Sequence, residues 1–214
     1  MSQTELVWLS SYPRSGNTFL RTILWQCFGQ RSGSIYPRDL GGKPALEEYV
    51  GHVEHAPSGK INFLTGNLPL VKTHEHDKDE AKAIYVVRDG RAACVSFKAF
   101  YKERVPLEEI LFGKTRFGSW GDNVNSWRPW ERANTLFLKY EDIRDDLPST
   151  LTKISVFLDC DILKHEIPQR DTIAKSDGQW VRRRTDWRDE LQGELLERFN
   201  QENWELLKRL DYVE

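Results

Sequence analysis

Cysteine is scarce in these 214 residues: there are three, Cys27, Cys94 and Cys160. The odd number, the wide spacing and the apolar segments around each argue against a disulfide framework and for reduced thiols in a cytosolic setting. No C-x-x-C pair occurs. The five histidines (His52, His55, His74, His76 and His165) form no H-E-x-x-H helix pair, so no metal site is expected. Long apolar runs are missing as well; none approaches the roughly 20 residues of a membrane-spanning helix. The chain enters a strand-like segment after a few polar residues, without the basic and then apolar stretches of a secretory leader. These absences lead us to expect a soluble, cytoplasmic protein with no membrane partner. Charge of one sign is also lacking: 31 basic and 33 acidic residues leave a net −2, which gives no whole-molecule attraction for nucleic acid. Any bound anion has to be held by a local cluster.

What is present is ordinary globular material, 39% apolar and 30% charged, enough to build a core. With no repeat, low-complexity tract or linker, one domain over residues 1–214 is expected. Residues 6–10 read as a buried strand that stops at a loop containing Pro13 and Gly16. From Thr18, the spacing of Phe19, Leu20, Ile23, Leu24, Cys27 and Phe28 predicts a helix with one apolar face. Residues 69–74 and 83–88 read as further buried strands, each ending in an imidazole or guanidinium side chain. Residues 90–102 suit a helix and 135–140 another strand. Leu147, Leu151, Ile154, Phe157 and Leu158 mark an amphipathic helix, and Leu191 to Leu210 a last one. Residues 31–67 show little pattern beyond a short helix over 46–50. The alternation predicts an α/β fold of three layers, a central parallel sheet with helices on both faces, and ligands beyond the carboxyl ends of the strands.

The loop after the first strand carries the clearest chemistry. A strand-loop-helix unit aims backbone N–H groups and the positive helix end at one spot. Arg14 adds a bidentate cation, Ser15 and Thr18 add hydroxyls, and Gly16 permits close approach or positive φ. A plain connection, with Pro13 and Gly16 turning the chain and Asn17 or Thr18 capping the helix, would look similar. The loop is not a Walker A sequence, because Asn17 follows Gly16 where that motif needs lysine. The comparable strand ends in Arg88-Asp89 and gives no obvious magnesium ligand, so the ligand need not be a metal-bound triphosphate.

Ser11-Tyr12-Pro13-Arg14-Ser15-Gly16-Asn17-Thr18 resembles the phosphosulfate loop of the sulfotransferase family, written with Lys or Arg before S-G-[TN]-T. Lys72-Thr73-His74 resembles the K-T-H segment of that family. Arg88 and Ser96 fall at the spacing of its 3′-phosphate pair, and Leu138-Lys139-Tyr140-Glu141-Asp142 matches a fourth segment. The resemblance runs from about Val7 to Leu158. It implies a P-loop-like nucleotide-binding fold. The activity it implies is in-line transfer of a sulfuryl group from 3′-phosphoadenosine 5′-phosphosulfate to a hydroxyl of a small-molecule or natural-product acceptor.

In that reading Arg14, Ser15, Gly16, Asn17 and Thr18 hold phosphosulfate, and Arg88 with Ser96 holds the 3′-phosphate. His74 is the base, while Lys72 and Arg14 stabilise the leaving group without a metal. Most members carry Lys where Arg14 stands. Phe19 and Tyr140 fit either the donor site or the core. Arg182, Arg183 and Arg184 stand where the family closes over the 3′-phosphate, but the usual glycines are missing; Asp186-Trp187-Arg188 resembles the end of that stretch. Trp120, Trp127 and Trp130, in a segment resembling bacterial sulfotransferases, could line an aromatic acceptor pocket or simply pack helices. The rival readings are a nucleotide or small-molecule kinase and a non-catalytic nucleotide-binding module. The latter would not need His74 beside Lys72.

Overall fold

A computed structural model of the chain describes residues 6–41, 43–176 and 186–213. Five strands form one parallel sheet: β1 (Val7–Ser10), β2 (Ser32–Ser34), β3 (Leu70–Thr73), β4 (Lys82–Val87) and β5 (Thr135–Lys139), in spatial order β2-β3-β1-β4-β5. Side chains alternate between two cores, as the two-residue period of a strand requires. Val7, Leu9, Ile84 and Val86 enter one. Trp8, Ala83, Tyr85 and Val87 enter the other. Both faces are therefore buried, which explains why these strands read as near-continuous apolar runs.

The helices are α1 (Asn17–Phe28), α2 (Pro44–Val50), α3 (Gly90–Phe100), α4 (Leu107–Leu111) and α5 (Trp120–Trp127). They continue as α6 (Tyr140–Asp145), α7 (Leu147–Leu158), α8 (Arg170–Ser176), α9 (Gly193–Glu202) and α10 (Trp204–Arg209). Apolar faces of α1, α6 and α7 cover the first core, and those of α3, α4, α5, α9 and α10 cover the second. The three-layer α/β architecture is the one expected. No helix among the described residues is long and apolar enough to cross a membrane.

Several local features differ from the expectation, the short helices α4, α6 and α8 among them. β2 is a buried Ser-Gly-Ser strand with no apolar residue to announce it. Gly33 leaves room there for Ile61, whose Cγ2 would lie 2.7 Å from an added Cβ. The helix α5 is additional; it is set by a capping box in which Ser119 Oγ accepts from Asp122 N–H and the Asp122 carboxylate reaches back to Ser119 N–H. The single last helix is two, divided at Asn203, whose side-chain amide donates to Phe199 O at 2.9 Å and so competes with the helical ladder.

Candidate active site

β1 ends at Ser10, and the chain reverses through Tyr12-Pro13-Arg14-Ser15, where Ser15 N–H donates to Tyr12 O at 3.2 Å. Proline at the second position pre-sets this turn. Arg14 then takes φ 66° and Gly16 φ 109°. The first is a left-handed conformation that costs a non-glycine residue free energy. At Gly16 a side chain is excluded twice, by φ and because a Cβ would sit 2.6 Å from Tyr140 Cδ2. Gly16 occupies the N-cap position of α1 and provides no side-chain cap. The first-turn N–H groups are thus left for an anion. Asn17 serves the loop itself: its amide donates to Leu9 O at 2.8 Å and Ser11 Oγ at 3.3 Å. Ser15 is fully buried, with an Oγ that has no partner among the described residues.

Gly16, Asn17, Thr18 and Phe19 line a cavity of about 1590 Å³. Ligand pockets commonly measure about 300–1,000 Å³, so the space suits a nucleotide and a second molecule together. Arg88, after β4, and Ser96, on α3, also line it. The Arg88 guanidinium lies 4.8 Å from the centre of the Tyr140 ring and donates to Arg14 O at 3.2 Å, bracing the loop. Arg14 Nε donates to Ser96 Oγ at 3.3 Å. The neighbouring acid is used differently, since Asp89 caps α3 and pairs with Arg91 at 2.8 Å. Phe19 meets Tyr140 edge to face in the same wall. Arg144 of α6, which the sequence did not single out, lines it too.

Lys72 and His74 lie two residues apart at the end of β3 and both line the cavity, as the strand period allows. His74 Nδ1 faces Ser11 O at 2.7 Å. A carbonyl only accepts, so Nδ1 carries the proton and Nε2 keeps its lone pair. Burial, then the Lys72 and Arg14 charges, hold the imidazole down to about 3, neutral at pH 7. Tyr36 stacks on the ring at 5.8 Å and Phe117 meets it edge-on at 5.7 Å. The Tyr36 hydroxyl accepts from His74 N–H at 3.0 Å and donates to Glu75 Oε1 at 2.9 Å. Lys72 Nζ lies 2.6 Å from Asp39 Oδ1, and Arg21 holds Asp39 Oδ2 at 2.5 Å.

The aromatic wall beside His74 consists of Tyr36, Phe97, Tyr101 and Phe117. Of the two readings left open for the tryptophans, the structure shows packing. Trp120 and Trp127 are buried in the core beneath α5, with Trp120 Nε1 donating to Arg88 O and Trp127 Nε1 to Glu75 O. Trp130 packs edge-on against Phe137. Large aromatics on a helix with one apolar face belong to the core unless something else draws them out, and here nothing did. His76 is exposed. Trp187 is buried under the Arg91 guanidinium, and Asp186 caps the short turn it starts. Arg182, Arg183 and Arg184 lie outside the described residues. Tyr36 and Asp39 were missed because they sit in the stretch without periodicity.

A parallel sheet of order β2-β3-β1-β4-β5, with an uncapped helix N-terminus after its central strand, defines a P-loop-like α/β protein. The family model for the sulfotransferase domain matches residues 4–211, and the chain belongs to that family. Sulfotransferase 1 family member D1 of Mus musculus is 31% identical over 180 residues, covering 72% of this chain and 59% of its own length. Amine sulfotransferase of Oryctolagus cuniculus is 30% identical over 177 residues, covering 75% and 58%. The chain thus spans under two thirds of these relatives. Among solved structures, mouse sulfotransferase SULT7A1 complexed with PAP superposes with a TM-score of 0.68 at 21% identity, over 99% of this chain and 86% of that one. Retinol dehydratase complexed with retinol and PAP gives 0.64 at 20% identity, over 94% and 81%. Both share the fold.

Proposed function

We propose that this chain transfers a sulfuryl group from 3′-phosphoadenosine 5′-phosphosulfate to the hydroxyl of a small-molecule acceptor. The observation that carries it is one cavity holding a neutral buried histidine, a buried lysine, and an uncapped helix start flanked by Arg14, Arg88 and Ser96. Gly16 offers no side-chain cap and its Cβ position is closed by the Tyr140 ring, so the backbone N–H groups at the start of α1 remain for an anion. When bound, the donor supplies the electrophilic sulfur and a 3′,5′-bisphosphate leaving group.

This chain's residues do the rest. Arg14 and the first-turn N–H groups of Gly16, Asn17 and Thr18 grip the 5′ side. Arg88 and Ser96 take the 3′-phosphate, and Phe19 and Tyr140 flank the base. His74 Nε2 accepts the acceptor hydroxyl's proton, and Ser11 O, already bonded to Nδ1–H, stabilises the imidazolium that forms. Lys72 and Arg14 oppose the negative charge that grows on the leaving bisphosphate. The aromatic wall of Tyr36, Phe97, Tyr101 and Phe117 favours a flat apolar acceptor such as a phenol.

The test is transfer of radiolabelled sulfate from the donor to a panel of phenols, alcohols and amines. Transfer to a hydroxyl is expected, and His74→Ala should lower it about 100-fold or more while adenosine 3′,5′-bisphosphate still binds. Full activity in His74→Ala, or no transfer to any acceptor, would contradict the proposal.

A further inference from the structure

The geometry points to Asp39 as a positioning residue that holds the Lys72 ammonium charged and aimed at the reaction cavity. This rests on the reading of Lys72 as the leaving-group cation. Asp39 ends a turn, Tyr36-Pro37-Arg38-Asp39, closed by Asp39 N–H donating to Tyr36 O at 3.0 Å. The next residue, Leu40, takes φ 58° and is fully buried against Leu46, Val50 and Ile173, which anchors the turn from behind. Both carboxylate oxygens are engaged, Oδ1 by Lys72 and Oδ2 by Arg21, so the carboxylate has one orientation. Arg21 is itself fixed: Nε donates to Ser32 Oγ at 2.7 Å, and Nη2 to Ser32 O at 3.1 Å and to His52 Nδ1 at 2.8 Å.

Stability alone is a poor reason for this arrangement. Arg21, Asp39 and Lys72 are all nearly inaccessible, and buried ion pairs often stabilise a fold no better than well-packed apolar residues. What the triad secures is charge on Lys72. Burial pushes that ammonium below the ordinary lysine value, and Arg21 and Arg14 push the same way; Asp39 opposes them. Tyr36, whose ring centre is 5.6 Å from Nζ, His74 and His52 complete the polar surroundings. The same two cations and the same burial act on Lys72 whether or not Asp39 is charged. Without the carboxylate, burial and the two cations would act unopposed, the ammonium would give up its proton more readily, and a neutral amine offers nothing to a developing anion.

Lysine side-chain NMR of the donor-free protein reads this directly, with the Lys72 signal assigned by its loss in Lys72→Met. Asp39→Asn should move the Lys72 titration to lower pH. Arg21→Gln, which removes a competing cation, should move it to higher pH and provides a second reading if Asp39→Asn does not fold. An unchanged Lys72 titration in the folded variant overturns the inference. In the transfer assay, Asp39→Asn should lower kcat by about 10-fold or more, with the loss deeper at pH 8 than at pH 6 and bisphosphate affinity within threefold of the parent. Asp39→Glu should restore most of the rate. On the Lys72→Met background Asp39→Asn should change kcat less than twofold. A loss independent of pH, or one that persists on that background, would show a structural role only. If the parent protein transfers no sulfate, the functional reading fails, while the NMR titration still decides the role of Asp39.

Discussion

Two turns in this molecule share the sequence Tyr-Pro-Arg and flank the strand that carries Lys72 and His74. One, residues 12–15, comes after β1; the other, residues 36–39, comes after β2, and β3 lies between those strands. Each closes with an N–H to carbonyl bond from its fourth residue to its tyrosine. Their outcomes differ. Tyr12 is buried, edge-on to Phe97, while Arg14 swings left-handed into the cavity and the chain opens a twelve-residue helix. Tyr36 instead faces the cavity and stacks on His74, and Asp39 turns inward to Lys72. In the proposed reaction the first turn would hold the anion and the second would set the groups that act on it. A short motif fixes the shape of a turn, and the residues on its carboxyl side decide its use.

Breaking the first turn should have the largest effect. Gly16→Ala places a Cβ against Tyr140 at a φ that disfavours it, and bisphosphate affinity should fall about 100-fold or more by calorimetry, close to 3 kcal/mol. Breaking the second should leave that affinity alone. Tyr36→Phe strips the hydroxyl shared by His74 N–H and Glu75, so kcat should fall several-fold and stability by about 1 kcal/mol in denaturant melts, with donor binding unchanged.

The smallest effect is on pH dependence and comes through His74, bonded to the first turn at Ser11 O, and His52, bonded to the Arg21 that holds the second. His74 stays neutral in the folded chain to about 3 and His52 to about 4, whereas both protonate in the unfolded chain below about 6.5. Between those values the unfolded state binds more protons, so stability is full above 6.5 and is lost as pH falls. Thermal melts from pH 7.5 to 4.5 should show Tm falling less steeply in His74→Gln than in the parent. A steeper or equal fall would remove His74 as a source of the slope.

The contrast also explains what was legible in the sequence. Arg14, Gly16 to Phe19, Lys72, His74, Arg88, Ser96 and Tyr140 could be picked out, and they line one cavity, because strands of strong apolar character and a long amphipathic helix frame them and four segments match one family in order; Ser15 is buried behind the loop. Ser32, Tyr36 and Asp39 were not, since β2 is Ser-Gly-Ser and its burial is polar, secured by Arg21 rather than by apolar side chains. Periodicity detects apolar faces, not buried charges. The tryptophans could be read either way: Trp120 and Trp127 stood out by size, and size at helical spacing is what a core wants. Phe97, Tyr101 and Phe117, spread over α3 and the loops beyond it, are the aromatics that line the cavity with Tyr36.

In the proposed function one cavity, bounded by the first turn and by Arg88 and Ser96, holds a 3′-phosphorylated adenine nucleotide. Calorimetry of adenosine 3′,5′-bisphosphate against ADP tests it most directly. The bisphosphate should bind at least tenfold more tightly, and Arg88→Ala should erase the difference; equal affinity for the two nucleotides in the parent protein would contradict the assignment.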